Sequence, residues 1–422
     1  MARIISGILL LLILFNDESV FGEHRFEWHV DIALQEQYDD NVNLSPSNEK
    51  EEYITTISPG GRLLLEWKTG AANFDYHLNV TMYGHDFEDD DRNYLGHNAS
   101  LNLHQTLWRH LTLSIRDQLV RTDEPREVRI TEGAIGPTDY YTGTRTERSI
   151  YTRNTFSPSM EWRYGKDDRL SFSYTNAMYL NRESTIPDSH SHTYTLTLDH
   201  WFGPMYGLSI DMSYLMYRFE TSSDFDGQDA GLTFTRKFTD RTSGFIQGRF
   251  SNRSFEETND YRTYSGSIGV DHAFSPTVSG RARAGYFSQN PAVGSGQNGF
   301  DGELSLVSRW VRMQGSLLLR GGYEESYIDA ENLGFAQFWS TGANIRYSLS
   351  RAIAIVIDGT YRYEDFTTGR TQKTWDGRAS LAVTLLKWLT GSLEYLHQEK
   401  NADDDVSDYV DNRITLRLAA SY

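Results

Sequence analysis

The stretch Phe26-Glu27-Trp28-His29-Val30-Asp31-Ile32-Ala33-Leu34-Gln35 places an apolar side chain at every second position. Successive side chains of a β-strand point to opposite faces, so this alternation predicts a strand with one apolar and one polar face. A helix would need apolar residues three and four positions apart, and the stretch lacks that spacing.

The same alternation recurs along the chain, for example in residues 74–82, 170–175, 208–216 and 353–363. With their flanks these segments reach about ten residues, enough for a tilted strand to cross the hydrocarbon layer of a membrane. A bilayer offers no water to unpaired backbone groups, so a sheet within it must close on itself. We therefore predict an all-β fold, a transmembrane antiparallel up-and-down β-barrel.

The connections between these segments alternate between short turns and longer polar links. This is the layout of outer-membrane barrels, which have short periplasmic turns and long extracellular loops. Counting the hairpins predicts about 20 strands, or 18 if a terminal segment stays unpaired. Most tryptophans adjoin the short turns, as in an interfacial girdle. The longest link, 122–149, is predicted to fold inward and narrow the lumen.

The first residues have the pattern of an export signal. A positive start at Arg3 precedes a mostly apolar run from Ile4 to Phe15, which is too short to anchor a chain in a bilayer. We predict a signal peptide at 1–22, a barrel at 23–422 and a location in the bacterial outer membrane. The last strand, ending at Tyr422, resembles the signal read by the barrel-assembly machinery. That machinery and outer-membrane lipids are the expected partners; no nucleic-acid partner is expected, and the oligomeric state is left open.

The predicted lumen face is rich in arginine. The pore-lining candidates are Arg62, Arg116, Arg281, Arg283, Arg312, Arg320, Arg346, Arg362, Arg378, Arg413 and Arg417. Charged rings that line a pore set its selectivity, so these residues predict a weak preference for anions. In the alternative interpretation they pair with acidic residues across strands and brace the wall.

Motifs of catalysis are not evident. The 422 residues include no cysteine, which excludes thiol catalysis and disulfides, and no HExxH, GxSxG or P-loop pattern occurs. We expect no catalytic residue, cofactor or metal site, and no enzymatic activity. His190 and His192 form one pair that could hold a metal, although loop histidines are usually incidental. The net charge of -18 is concentrated partly in acidic links. These are solvated surface or bind divalent cations that bridge surface lipids.

The segment Glu36-Gln37-Tyr38-Asp39-Asp40-Asn41-Val42-Asn43-Leu44-Ser45-Pro46 resembles the start of the β-barrel porin 2 family. Its members include outer-membrane proteins associated with exopolysaccharide and exosortase (PEP-CTERM) gene clusters. The resemblance implies a porin-like barrel with a link to polysaccharide export or surface assembly, and it transfers no catalytic residue.

Two functions are therefore compatible with the sequence. The first is a channel for small solutes or for exopolysaccharide export. The second is a non-conducting barrel that uses its acidic extracellular loops for surface display, adhesion or lectin-like binding.

Overall fold

The structure is a computed structural model that describes residues 25–84, 93–124, 126–130, 139–143, 148–182, 187–256, 260–328, 331–403 and 408–422. The predicted signal peptide lies outside these residues. Within them, no helix has the length and apolar character that a membrane crossing needs.

The described chain forms 22 strands. They are β1 (Arg25–Asp39), β2 (Glu52–Trp67), β3 (Gly70–Tyr83), β4 (Tyr94–Trp108), β5 (Leu111–Thr122), β6 (Arg126–Ile130), β7 (Asp139–Gly143), β8 (Tyr151–Arg163), β9 (Arg169–Asn181), β10 (Ser189–Phe202), β11 (Tyr206–Phe219), β12 (Phe225–Thr239), β13 (Thr242–Phe255), β14 (Tyr261–Ser275), β15 (Val278–Pro291), β16 (Gln297–Arg309), β17 (Met313–Ile328), β18 (Glu331–Ser348), β19 (Ile353–Phe366), β20 (Thr371–Leu386), β21 (Leu389–Ala402) and β22 (Tyr409–Ser421).

Twenty of these strands form one closed antiparallel sheet, and β6 and β7 form a separate hairpin within the link from β5 to β8. Each barrel strand pairs with the next in the chain, with β5 pairing directly with β8. Residues 31–39 of β1 pair with residues 413–421 of β22, which closes the ring. The predicted fold class and strand number are confirmed.

Side chains on the outer face form an apolar belt. On β1 the predicted alternation is present, because Ile32 is 51% exposed outward whereas its neighbour Ala33 is buried. Trp108, Trp162 and Trp388 lie beside short turns and are also exposed, as expected for a girdle at the periplasmic edge.

A second girdle of aromatic side chains borders the apolar belt on the side of the long loops. Its tyrosines share hydrogen bonds with polar side chains of the neighbouring strand: Tyr174 Oη lies 2.7 Å from His192 Nδ1, and Tyr214 Oη donates to Asp226 Oδ2 at 2.9 Å. Tyrosine suits this position because its ring is apolar and its hydroxyl polar.

The barrel strands are longer than the predicted ten residues or so, running from 12 in β5 to 18 in β18. Several links are correspondingly shorter than the sequence predicts. The alternation predicts a polar link at 221–229, for example, but β12 already begins at Phe225. Beyond the membrane both faces of a strand meet water, so the apolar alternation that identified the strands fades there.

Candidate functional site in the barrel lumen

Ten of the eleven predicted arginines lie on strands, on the inner face of the barrel. The strand register establishes this, because residues opposite each other share a face: Arg62 stands opposite Asp75, whereas the next residue, Leu63, is exposed outward. Arg312 lies outside the strands, in the turn between β16 and β17, and therefore does not belong to the wall.

Six of these ten arginines pair with acidic residues. The pairs are Arg62 with Asp75, Arg281 with Asp271, Arg283 with Asp301, Arg362 with Glu324 and Glu364, Arg378 with Asp358, and Arg413 with Glu124. Arg283 binds both oxygens of Asp301, at 2.6 and 2.8 Å, the bidentate geometry that a guanidinium favours. Cross-strand bracing of the wall, the alternative interpretation, thus accounts for much of the arginine content.

The other four, Arg116, Arg320, Arg346 and Arg417, form no ion pair with a described residue. Arg116 Nε donates to Asn102 Oδ1 at 3.3 Å, and the Arg320 guanidinium lies 5.6 Å from the ring centre of Phe338. The positive charge of these four is not compensated by an ion pair with a carboxylate of the described residues and is therefore available to act on a solute.

The outer end of the β17–β18 hairpin leaves the wall. β16 pairs with β17 only as far as Gly302 opposite Gly321, and β18 pairs with β19 only from Ala336 onward. Between these points the two strands pair with each other and with neither neighbour. Glu325 on this segment contacts β13, four strands away along the wall, so the hairpin lies across the inner face.

An aromatic core holds the hairpin against that face. The ring of Phe287 on β15 lies 4.9 Å from Tyr323 and 6.0 Å from Phe335, and Phe335 lies 5.9 Å from Tyr261 on β14. Phe287 and Phe335 are each only 1% exposed, whereas Tyr286, next to Phe287, is 59% exposed on the outside. The lumen therefore contains a packed hydrophobic cluster on one side.

Two adjacent glutamates fasten the two faces of the hairpin. Glu325 Oε2 lies 2.6 Å from Arg253 Nε, and its Oε1 accepts a hydrogen bond from Tyr261 at 3.0 Å. Glu324 points the other way and binds Arg362 on β19. Because neighbouring strand residues face opposite sides, the pair links the hairpin to the wall in both directions.

Arg148 fastens the base of the longest link inside the barrel. Its side chain is 5% exposed, lies 3.5 Å from Asp39 and Asp123, and is 3.4 Å from Glu124. Its Nε also donates to the carbonyl of Val42 at 2.9 Å. Burial lowers the pKa of this guanidinium, but the negative charge of Glu124 and its neighbours outweighs burial and raises the pKa well above its ordinary value. Within this link, β7 approaches β20 on a distant part of the wall.

Candidate metal ligands are few among the described residues. Asp39, Asp40 and Asp411 bring carboxylate oxygens within 4.8 Å of one another near the long-loop end of β1. Hydrogen bonds from the backbone and side-chain nitrogens of Asn412 already hold Asp40.

The sequence predictions missed this carboxylate group and the inward hairpin. For the hairpin no local signal existed, since the sequence predicts only an ordinary polar link at 326–333, and nothing distinguishes the preceding Glu324 and Glu325 from other residues near a strand end. His190 and His192 lie on the outer side of β10, with ring centres 5.8 Å apart.

No protein-family model matches the chain, and no curated protein sequence is similar to it. Solved structures of similar fold do exist. The FrpB iron transporter from Neisseria meningitidis is 10% identical with a TM-score of 0.55, covering 96% of this chain and 83% of its own. The siderophore receptor PirA from Pseudomonas aeruginosa is 9% identical with a TM-score of 0.52, covering 94% and 80%. The outer membrane protein OpdK from the same organism is 10% identical with a TM-score of 0.44, covering 94% and 99%.

At these identities the likeness of FrpB and PirA concerns the fold alone. It agrees with the physical argument from the closed sheet and its apolar outer belt. The chain is a closed β-barrel of the bacterial outer membrane.

Proposed function

We propose that the protein is a passive channel for small solutes. The observation that carries this proposal is that polar side chains on the inner face stay exposed within a 20-strand wall, among them Asn98, Arg116, Gln118, Arg346 and Arg417. In a barrel of this strand number the side chains do not fill the interior, so exposed polar groups indicate a lumen that holds water.

The size of the solute follows from the inward elements. The β17–β18 hairpin occupies part of the cross-section, and the β6–β7 hairpin reaches toward β20. A narrowed lumen favours small solutes over a folded polymer. Export of exopolysaccharide, the finer proposal, rests on the resemblance of residues 36–46 to the β-barrel porin 2 family.

The selectivity proposed is a weak preference for anions. Neutralised pairs contribute little net potential, so the preference depends on Arg116, Arg320, Arg346 and Arg417 rather than on all the predicted arginines. Acidic residues also line the wall, as Glu303 does opposite Arg320, which keeps the expected preference small.

Single-channel recording in a planar bilayer tests the proposal. Purified mature protein should give steady conductance steps. Under a salt gradient, the sign of the reversal potential should be the one expected for a channel that prefers anions. Cation selectivity that survives neutralising the loop acids would contradict the selectivity. Electrical silence would instead support the second candidate function, a non-conducting barrel for surface display. The observation that favours this alternative is that the β17–β18 and β6–β7 hairpins both occupy part of the lumen.

A further inference from the structure

A recess of about 400 Å³ lies on the inner wall of β1 to β4 and β22, beneath the base of the longest link. Arg148 and its partners Asp123 and Glu124 form its roof, and Arg417 closes it on the side of β22. The volume is within the range of pockets that hold small ligands.

Several hydrogen-bonding groups of this recess are not used by the described chain. Asn98 makes no side-chain hydrogen bond to a described residue, and the amide of Asn79 accepts one from Ser58 at 2.7 Å, which leaves its own N–H donors available. Gln35 uses its N–H group on Gln37 at 3.4 Å and keeps its carbonyl oxygen available as an acceptor.

The one charge in the recess without an ion pair to a described residue is Arg417. It stands directly opposite Gln35 in the sheet, so the two side chains lie side by side on the inner wall. Arg148, by contrast, is surrounded by carboxylates and offers no net positive charge to a ligand.

These groups define a ligand chemistry. A guanidinium binds a carboxylate through charge-assisted hydrogen bonds, and amides bind hydroxyl groups in both directions. From Arg417 on β22 to Asn98 on β4 the wall spans four strand spacings, about 19 Å, and inward-pointing side chains shorten that reach. The ligand that fits these groups is an acid with many hydroxyl groups and about the length of a disaccharide.

We propose that this recess is a binding site for an acidic sugar, with Arg417 holding its carboxylate and Gln35, Asn79 and Asn98 its hydroxyl groups. The inference builds on the proposed channel and names the class of solute that the channel slows and selects. Arg417 and the amides are specificity-determining residues in this arrangement.

The test uses the full mature barrel and digalacturonate as the probe. Added to a conducting channel, digalacturonate should interrupt the current, while the neutral disaccharide lactose and the simple anion acetate should not. Arg417→Gln should raise the half-blocking concentration about tenfold, since a charge-assisted hydrogen bond is lost. Asn98→Ala should raise it about fivefold. Arg312→Gln is the matched control, because Arg312 is also exposed but lies in the turn between β16 and β17, outside both the recess and the barrel wall.

Calorimetric titration of the detergent-solubilised protein with digalacturonate separates this inference from the channel itself. Steady conductance with neither block nor binding overturns the site and leaves the channel intact. If the barrel is silent but binds digalacturonate, and only Arg417→Gln abolishes that binding, the site is supported and the proposed channel function is refuted. Equal block by lactose, or an equal effect of Arg312→Gln, overturns the site.

Discussion

Removing Arg253 should release the β17–β18 hairpin from the inner wall. In Arg253→Met the carboxylate of Glu325, whose side chain is 10% exposed, keeps the hydrogen bond from Tyr261 but loses its ion pair. Stranding one partner of a buried pair costs about 3–5 kcal/mol. The two hairpin aromatic side chains, Tyr323 and Phe335, contribute about 3–6 kcal/mol together by burial, so the loss is comparable with what holds the hairpin.

This loss raises the population of the released hairpin by about two to three and a half orders of magnitude, at about 1.4 kcal/mol per tenfold. Single-channel recording should then show frequent transitions to a larger conductance. The barrel itself should remain folded, because its closed strand pairing does not involve the free end of the hairpin.

Two variants make the reasoning refutable. Arg253→Met combined with Glu325→Met should restore the smaller conductance, since replacing both buried charges with apolar groups is close to neutral, and Asp229, the other carboxylate that Arg253 binds at 2.9 Å, is 30% exposed to water. Arg62→Met is the matched control: it breaks a wall pair whose arginine side chain is 58% exposed, which is worth about 0–1 kcal/mol. Unchanged gating in Arg253→Met, or a double variant as disturbed as the single one, would show that the pair does not hold the hairpin.

Three further outcomes are expected. Leu416→Arg, on the lipid face, should lower the free energy of unfolding in urea by about 2–4 kcal/mol, whereas Thr415→Arg, on the lumen face, should leave it nearly unchanged; equal losses would contradict the assigned faces. Deleting residues 126–143 should raise the single-channel conductance, and an unaltered value would show that the longest link does not narrow the lumen. The raised pKa of Arg148 means that its stabilising charge is present below the ordinary arginine pKa and is lost only as the pH rises above it. Conductance should therefore stay constant from about pH 7 to pH 10, and a step within that window would mean that the link base is not held by this guanidinium.

Much of the wall could be predicted because its causes are local. The alternation at 26–35 can be recognised without tertiary information. A strand in lipid must have apolar side chains on its outer face, and this requirement fixes every second residue of the sequence. The short turns followed for the same reason, and with them the strand number. The strand ends beyond the membrane could not be located, since water on both faces removes the alternation.

The contents of the lumen depended on contacts between distant residues. Glu325 meets Arg253 across 72 positions of sequence, and Arg413 meets Glu124 across 289. An arginine on the inner face has the same local pattern whether it forms an ion pair, as Arg378 does with Asp358, or forms none with a described residue, as in the case of Arg417. Sequence by itself thus determined that the chain is a closed membrane barrel with an arginine-rich interior. Only the tertiary structure decided which arginines have no acidic partner among the described residues and which hairpin narrows the lumen. The physical reason is that strand register and barrel closure determine which side chains of distant strands meet.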